Sequence, residues 1–80
     1  GSTIGIGVES WELYVVDTSL VGDAWCLDMT LIGLESHTVR VRLAAEGHPV
    51  NRSAVIDAVS TWLGANAHRT TGVVDLTSAA

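Results

Sequence analysis

The stretch from Pro49 to Gly64 constrains the fold most, because it carries the only clear helix signal in the chain. Asn51 is a favourable N-cap residue, since its short side chain can accept a hydrogen bond from a free N–H of the first turn. Gly64 sits where a helix commonly ends. A helix of about 12 residues is marginal alone in water, so its apolar stripe must lie on the rest of the chain. The spacing of three and four residues that defines this stripe is kept by Val55, Ala58, Val59, Trp62 and Leu63, with Ile56 beside it.

The region before residue 24 alternates apolar and polar residues, which is typical of strands. The alternation changes phase between residues 3–8 and residues 11–16, and this predicts a bulge or break near Glu9 and Ser10. Residues 17–23 carry turn-forming residues at both ends and are predicted to connect this strand to the next.

Three further segments have strand periodicity: Ala24 to Ile32, Thr38 to Ala44, and Gly72 to Thr77. The connection from Gly33 to His37 is short, so the first two of these segments should form an antiparallel hairpin. The partner of the last strand is left open by the sequence.

These elements predict an α+β fold with two layers. An antiparallel sheet of three to four strands would carry one helix packed on one face, in the order β-β-β-α-β. This order of elements is similar to that of the N-terminal domain of HicB-type antitoxins, a resemblance of topology alone. The predicted core beneath the helix consists of Trp11, Leu13, Val15, Trp25, Leu27, Met29, Leu31, Val39, Val41 and Leu43.

The 80 residues are predicted to form one domain over residues 3–77, after a tag remnant at 1–2 and before a frayed tail at 78–80. Nine acids against four arginines give a net charge of −5, which repels phosphate and argues against nucleic-acid binding. No apolar run is long enough to span a membrane. Cys26 is the only cysteine, which excludes an internal disulfide and favours the cytoplasm.

No catalytic residue, metal site or cofactor site is predicted. The three histidines, His37, His48 and His68, are interpreted as solvated loop residues, since none has metal-ligand spacing. Cys26 is interpreted as a small packed hydrophobe, with a thiolate paired to a histidine as the alternative. The three tryptophans, Trp11, Trp25 and Trp62, are expected at the interface between sheet and helix.

The sheet face that the helix leaves uncovered has two interpretations. Acids on its first two strands could face arginines on the third as ordinary cross-strand pairs. Alternatively, the face is apolar enough to be an interface with another copy or another protein, anchored by arginines. This predicted interface consists of Tyr14, Val16, Cys26, Ile32, Arg40 and Arg42.

The predicted function is a small, non-enzymatic protein-interaction module that self-associates through the open sheet face or an edge strand. The alternative is an acidic, antitoxin-like or inhibitory protein that covers a basic protein partner, since the chain carries an excess of acids. A third hypothesis, a small enzyme using Cys26 or a histidine, needs a pocket with convergent polar groups, which the sequence does not indicate.

Overall fold

The structure, a computed structural model, describes residues 2–44 and 51–77. These residues form an α+β domain in which one helix accompanies a five-stranded, mixed and strongly curled sheet, a half-barrel with element order β-β-β-β-α-β. The elements are β1 (Ser2–Ile6), β2 (Glu9–Val21), β3 (Ala24–Ile32), β4 (Ser36–Ala44), α1 (Arg52–Ala65) and β5 (Thr71–Leu76).

The strands lie in the sheet in the order in which they occur in the chain. The first four are joined by short turns and pair antiparallel, whereas β5 pairs parallel to β4. A parallel neighbour requires the chain to return across the sheet, and α1 makes that return. The α+β class and the β3–β4 hairpin are therefore confirmed, whereas an antiparallel sheet of three to four strands is wrong.

Of the predicted bulge or break near Glu9 and Ser10, the break is confirmed: a hairpin turn at residues 7–8 separates β1 from β2. Gly7 has a φ of 64°, a conformation that residues with a side chain rarely adopt, and the chain reverses there. Ile4 of β1 then lies opposite Trp11 of β2. The predicted single strand is thus two antiparallel strands.

The predicted connection at residues 17–23 is also wrong, because β2 continues through it to Val21. Only Gly22 and Asp23 form the turn, with a φ of 63° at Gly22. The pairing with β3 shifts by one residue between Val15 and Asp17, which is a β-bulge. Beyond the bulge, the β-branched and apolar residues of β2 outweigh the turn propensity of its aspartate and serine.

The helix begins as predicted, with the Asn51 side chain accepting a hydrogen bond from the Ala54 N–H at 3.2 Å. It does not end at Gly64, which lies inside it. Asn66 terminates it instead, with an N–H that donates to the carbonyl groups of Trp62 and Leu63. Pro49, the predicted start of the stretch, lies outside the described residues.

The core lies between α1 and the face of the sheet that we call the inner face. The helix contributes Val55, Val59 and Leu63, as predicted, and it lies closest to β1, β4 and β5. The middle and far end of β2 and the start of β3 are less well covered. Two predicted core residues, Val15 and Trp25, are therefore exposed, and Leu27 and Leu43 are only partly buried. The sheet contributes the remaining buried apolar residues of this core: Ile4, Trp11, Leu13, Met29, Leu31, Val39 and Val41.

Two of the three tryptophans pack as predicted, each with its ring directly over a glycine. A Cβ at Gly33 would lie 2.4 Å from the Trp11 ring, and one at Gly72 would lie 2.2 Å from the Trp62 ring. Both distances are well inside van der Waals contact. These glycines are therefore needed for the space they leave.

Candidate interaction surface

The predicted interface residues lie on the outer face, the side of the sheet turned away from α1, or beside it. Tyr14 and Ile32 are exposed there, and the Tyr14 hydroxyl donates to the Glu12 carboxylate, which raises the pKa of the tyrosine. Cys26 is only 1 % exposed and offers no accessible surface. Val16 occupies the bulge at the edge of the sheet and is exposed.

The two predicted anchoring arginines are both engaged within the chain. Arg40 makes two hydrogen bonds to the Asp28 carboxylate on β3, at 2.7 and 3.1 Å. This hydrogen bonding lowers the pKa of Asp28 and raises that of Arg40. The cross-strand pairing of an acid with an arginine of the next strand is thus confirmed.

Arg42 reaches the other way, to Asp75 on β5, with a separation of 2.7 Å. The Asp75 carboxylate also accepts from the hydroxyl and the N–H of Thr77. These Thr77 hydrogen bonds first, and Arg42 second, lower the pKa of Asp75. Each of the two arginines on the outer face is therefore paired with an aspartate of the same chain. Neither would bind an acidic group of a partner without first giving up this pair.

A second candidate surface lies along one edge of the sheet, on the part of β2 that extends beyond β1. β1 pairs with β2 only as far as Leu13, which lies opposite Ser2. Beyond that point β2 pairs with β3 alone among the described strands. We call the stretch Val15–Val21 the free edge, because one side of its backbone has no strand beside it within the described parts of the chain.

The free edge is unusually apolar for an unpaired strand. Val15, Val16, Leu20 and Val21 are 54 %, 62 %, 56 % and 47 % exposed. Trp25 lies opposite Leu20 in the β2–β3 pairing and is exposed as well. Asp17 is the single charge on this stretch, which has no lysine or proline of the kind that blunts an edge.

Sequence reasoning missed this surface because it assigned residues 17–23 to a connection. The sequence does carry a strand signal here. Thr18 and Leu20 are two residues apart, as on one face of a strand, and the turn-forming pair Gly22–Asp23 follows them, which is typical of a strand that leads into a tight hairpin. The bulge hides that signal, since it shifts the alternation by one residue at Val16.

One histidine departs from the predicted solvated loop. His37 is 2 % exposed, and its ring Nδ1 donates to the Arg69 carbonyl oxygen at 2.5 Å. Its ring meets that of Trp62 edge to face, with the centroids 6.3 Å apart. His37 thus holds the connection between α1 and β5 in place. His68 is exposed as predicted, and His48 lies outside the described residues.

An apolar cavity of about 430 Å³ opens between the start of α1 and the middle of β2 and β3. Its polar lining consists of Arg52 and Ser2, which are hydrogen-bonded to each other. Nowhere in residues 2–44 and 51–77 do three histidines, cysteines or acids come together as metal ligands. No helix within those ranges combines the length and apolar character needed to cross a membrane.

Comparison of the chain with protein-family models, with curated proteins and with solved structures finds no match.

Proposed function

We propose that this chain is a small, non-enzymatic protein-interaction module that self-associates through the free edge of β2. The observation that carries the proposal is the seven-residue stretch Val15–Val21. Among residues 2–44 and 51–77 no strand lies on one side of it, and it presents four large apolar side chains to solvent. An exposed, long and apolar edge strand is a template for pairing with another strand.

Pairing along the free edge would cover more exposed apolar side chains and free backbone groups than association through the outer face would. A partner strand would satisfy free backbone N–H and C=O groups of β2 and would cover Leu20 and Trp25 in the same step. On the outer face, Arg40 and Arg42 are already paired and Cys26 is buried, so only Tyr14 and other scattered apolar side chains remain to attract a copy.

The second candidate function, an acidic protein that covers a basic partner, is supported by the net charge of −5. Charge of one sign steers encounter with an opposite surface, and such association weakens as salt is added. Apolar edge pairing has the opposite dependence, since salts such as sulfate strengthen apolar burial. Association that weakens as salt is added would therefore indicate the acidic protein that covers a basic partner, whereas association that strengthens in sulfate would indicate pairing along the apolar edge.

An enzymatic role for Cys26 has little support. With 1 % of its surface exposed, the thiol is out of reach of a substrate unless the sheet opens. Native-state thiol labelling checks this point, and rapid labelling without denaturant would reopen the enzymatic hypothesis.

The experiment for the proposal is sedimentation velocity on the intact chain and two matched variants. Leu20→Lys places a charge on the free edge, whereas Leu34→Lys places the same charge on an equally apolar, exposed residue in the turn between β3 and β4. We expect twice the 8.4 kDa chain mass for the parent and for Leu34→Lys, and the single chain mass for Leu20→Lys.

A parent that stays monomeric at every concentration would contradict this proposal, and so would an equal loss of association in both lysine variants. A third variant, Tyr14→Ala, addresses the outer face. If it dissociates the dimer and Leu20→Lys does not, the interface lies on the outer face. Circular dichroism of each variant is the control for a retained fold.

A further inference from the structure

We infer that the partner of the free edge is the free edge of a second copy, paired antiparallel about a two-fold axis that passes through Thr18. This inference rests on the proposed function and adds the register of the pairing. The two five-stranded sheets would then form one continuous sheet across the dimer.

The faces of the strand limit the possible registers. The pairing with β3 puts Asp17 and Ser19 on the outer face, opposite Asp28 and Cys26, while the intervening Thr18 lies on the inner face. Residues directly opposite each other in an antiparallel pair share a face. A two-fold axis perpendicular to the sheet must therefore lie between the two copies of one residue. After the bulge the candidates run from Asp17 to Leu20, since an axis at Val21 would place the turn residues Gly22 and Asp23 in the ladder.

Charge removes two of these candidates. An axis through Asp17 would set the two Asp17 carboxylates directly opposite each other. An axis through Leu20 would set Asp17 of one copy opposite Asp23 of the other. Like charges directly opposite each other are destabilising in a sheet, so neither register is favourable.

The pattern of side chains decides between Thr18 and Ser19. An axis through Ser19 sets Asp17 against Val21 and Thr18 against Leu20, so that polar and apolar residues oppose each other. The sequence from Val16 to Leu20 reads apolar, polar, threonine, polar, apolar and is symmetric about its centre. An axis through Thr18 therefore sets apolar residues opposite apolar residues and polar residues opposite polar residues.

In this register every opposing pair is a favourable one. Thr18 meets Thr18, and threonine pairs are among the stabilising cross-strand contacts. Asp17 meets Ser19, whose hydroxyl can donate to the carboxylate. Val16 meets Leu20, which extends the exposed apolar surface of Leu20 and Trp25 onto the second copy. The ladder ends at Val16, since the bulge there changes the phase of the strand.

The test is the dimer dissociation constant of two charge variants at one position, Ser19→Lys and Ser19→Asp, measured by sedimentation equilibrium. With the axis through Thr18, position 19 faces Asp17, so the lysine variant should bind about threefold or more tighter and the aspartate variant correspondingly weaker. With the axis through Ser19, each variant opposes its own copy, and both should weaken the dimer.

A second measurement does not depend on charge. In a Cys26→Ala background, Thr18→Cys should form the intermolecular disulfide far faster than Ser19→Cys or Leu34→Cys, because only residues on the axis meet their own copy at bridging distance. Faster bridging by Ser19→Cys, or weakening by both charge variants, overturns the register while dimerisation stands. A parent that is monomeric by sedimentation overturns the proposed function together with the register.

Discussion

At the scale of single residues, the contacts of Trp62 and His37 hold the packed end of the domain together. Trp62 covers Gly72 and meets the ring of His37, whose Nδ1 is bonded to the Arg69 carbonyl. Close-packed interiors leave no room for an added atom unless a neighbour shifts. The glycine and the histidine are therefore expected to be sensitive positions.

We predict that Gly72→Ala destabilises the fold by about 1–3 kcal/mol, because the new methyl group would overlap the rigid Trp62 ring. Gly5→Ala is the matched control, since its Cβ would meet only the Glu9 carbonyl oxygen at 3.7 Å. Urea unfolding of both variants measures the difference. Equal midpoints for the two alanine variants would show that Trp62 does not occupy this place.

We predict that His37→Ala costs about 2–4 kcal/mol of unfolding free energy, through a cavity and the lost hydrogen bond to Arg69. His68 is an exposed histidine in the connection between α1 and β5, and His68→Ala should change the unfolding free energy by about 0.5 kcal/mol or less. Thermal unfolding followed by circular dichroism compares them. A small effect at His37 would mean that the ring is solvated after all.

The sequence was informative about these residues only in part. It places Trp11 and Trp62 in the core through helix and strand spacing, and both are there. It does not identify Gly33 and Gly72 as their partners, because those contacts join different elements and depend on how the sheet curls. His37 follows a turn, where a polar residue is expected to be exposed. Its burial depends on the segment around Arg69, which is distant in the sequence.

At the scale of elements, ion pairs tie β4 to its two neighbours. Asp28 and Arg40 join β3 to β4, and Asp75 and Arg42 join β5 to β4. The first pair was predictable, since alternation placed both residues on the uncovered face of adjacent strands. The second was not, because the parallel position of β5 depends on the crossover through α1.

These pairs predict a specific dependence on pH. The folded-state pKa of Asp28 and of Asp75 is lowered, so each carboxylate contributes stability that is present above its unfolded pKa of about 4. That contribution is lost as the pH falls further, through the lowered pKa values of the folded state. Urea midpoints between pH 6 and pH 2 should therefore fall less steeply for the Asp28→Asn, Asp75→Asn double variant than for the parent.

Glu35→Gln is the control, because it removes an acid from an exposed turn outside these pairs. Its midpoint should follow that of the parent. If the double variant keeps the full acid response of the parent, exposed pairing at β4 contributes nothing measurable, as many surface ion pairs do.

At the scale of the whole molecule, the curl of the sheet separates a packed end from an open one. The helix fills the half-barrel against β1, β4 and β5, and the far end of β2 extends beyond β1. This geometry exposes Val15 and Trp25, which periodicity alone places in the core. The predicted self-association through an edge strand stays a prediction, and the structure supplies the edge on which we base it.

The measurement that tests the central claim most directly is backbone hydrogen–deuterium exchange at two protein concentrations, one well below and one well above the dissociation constant. Exchange slows when an amide enters a hydrogen-bonded ladder. We predict that alternate amides of residues 16–20 become slower at the higher concentration, while the amides of β5 at the other edge of the sheet do not change. Exchange in β2 that is independent of concentration, or protection that appears only in β5 or on other strands, would contradict self-association through this edge.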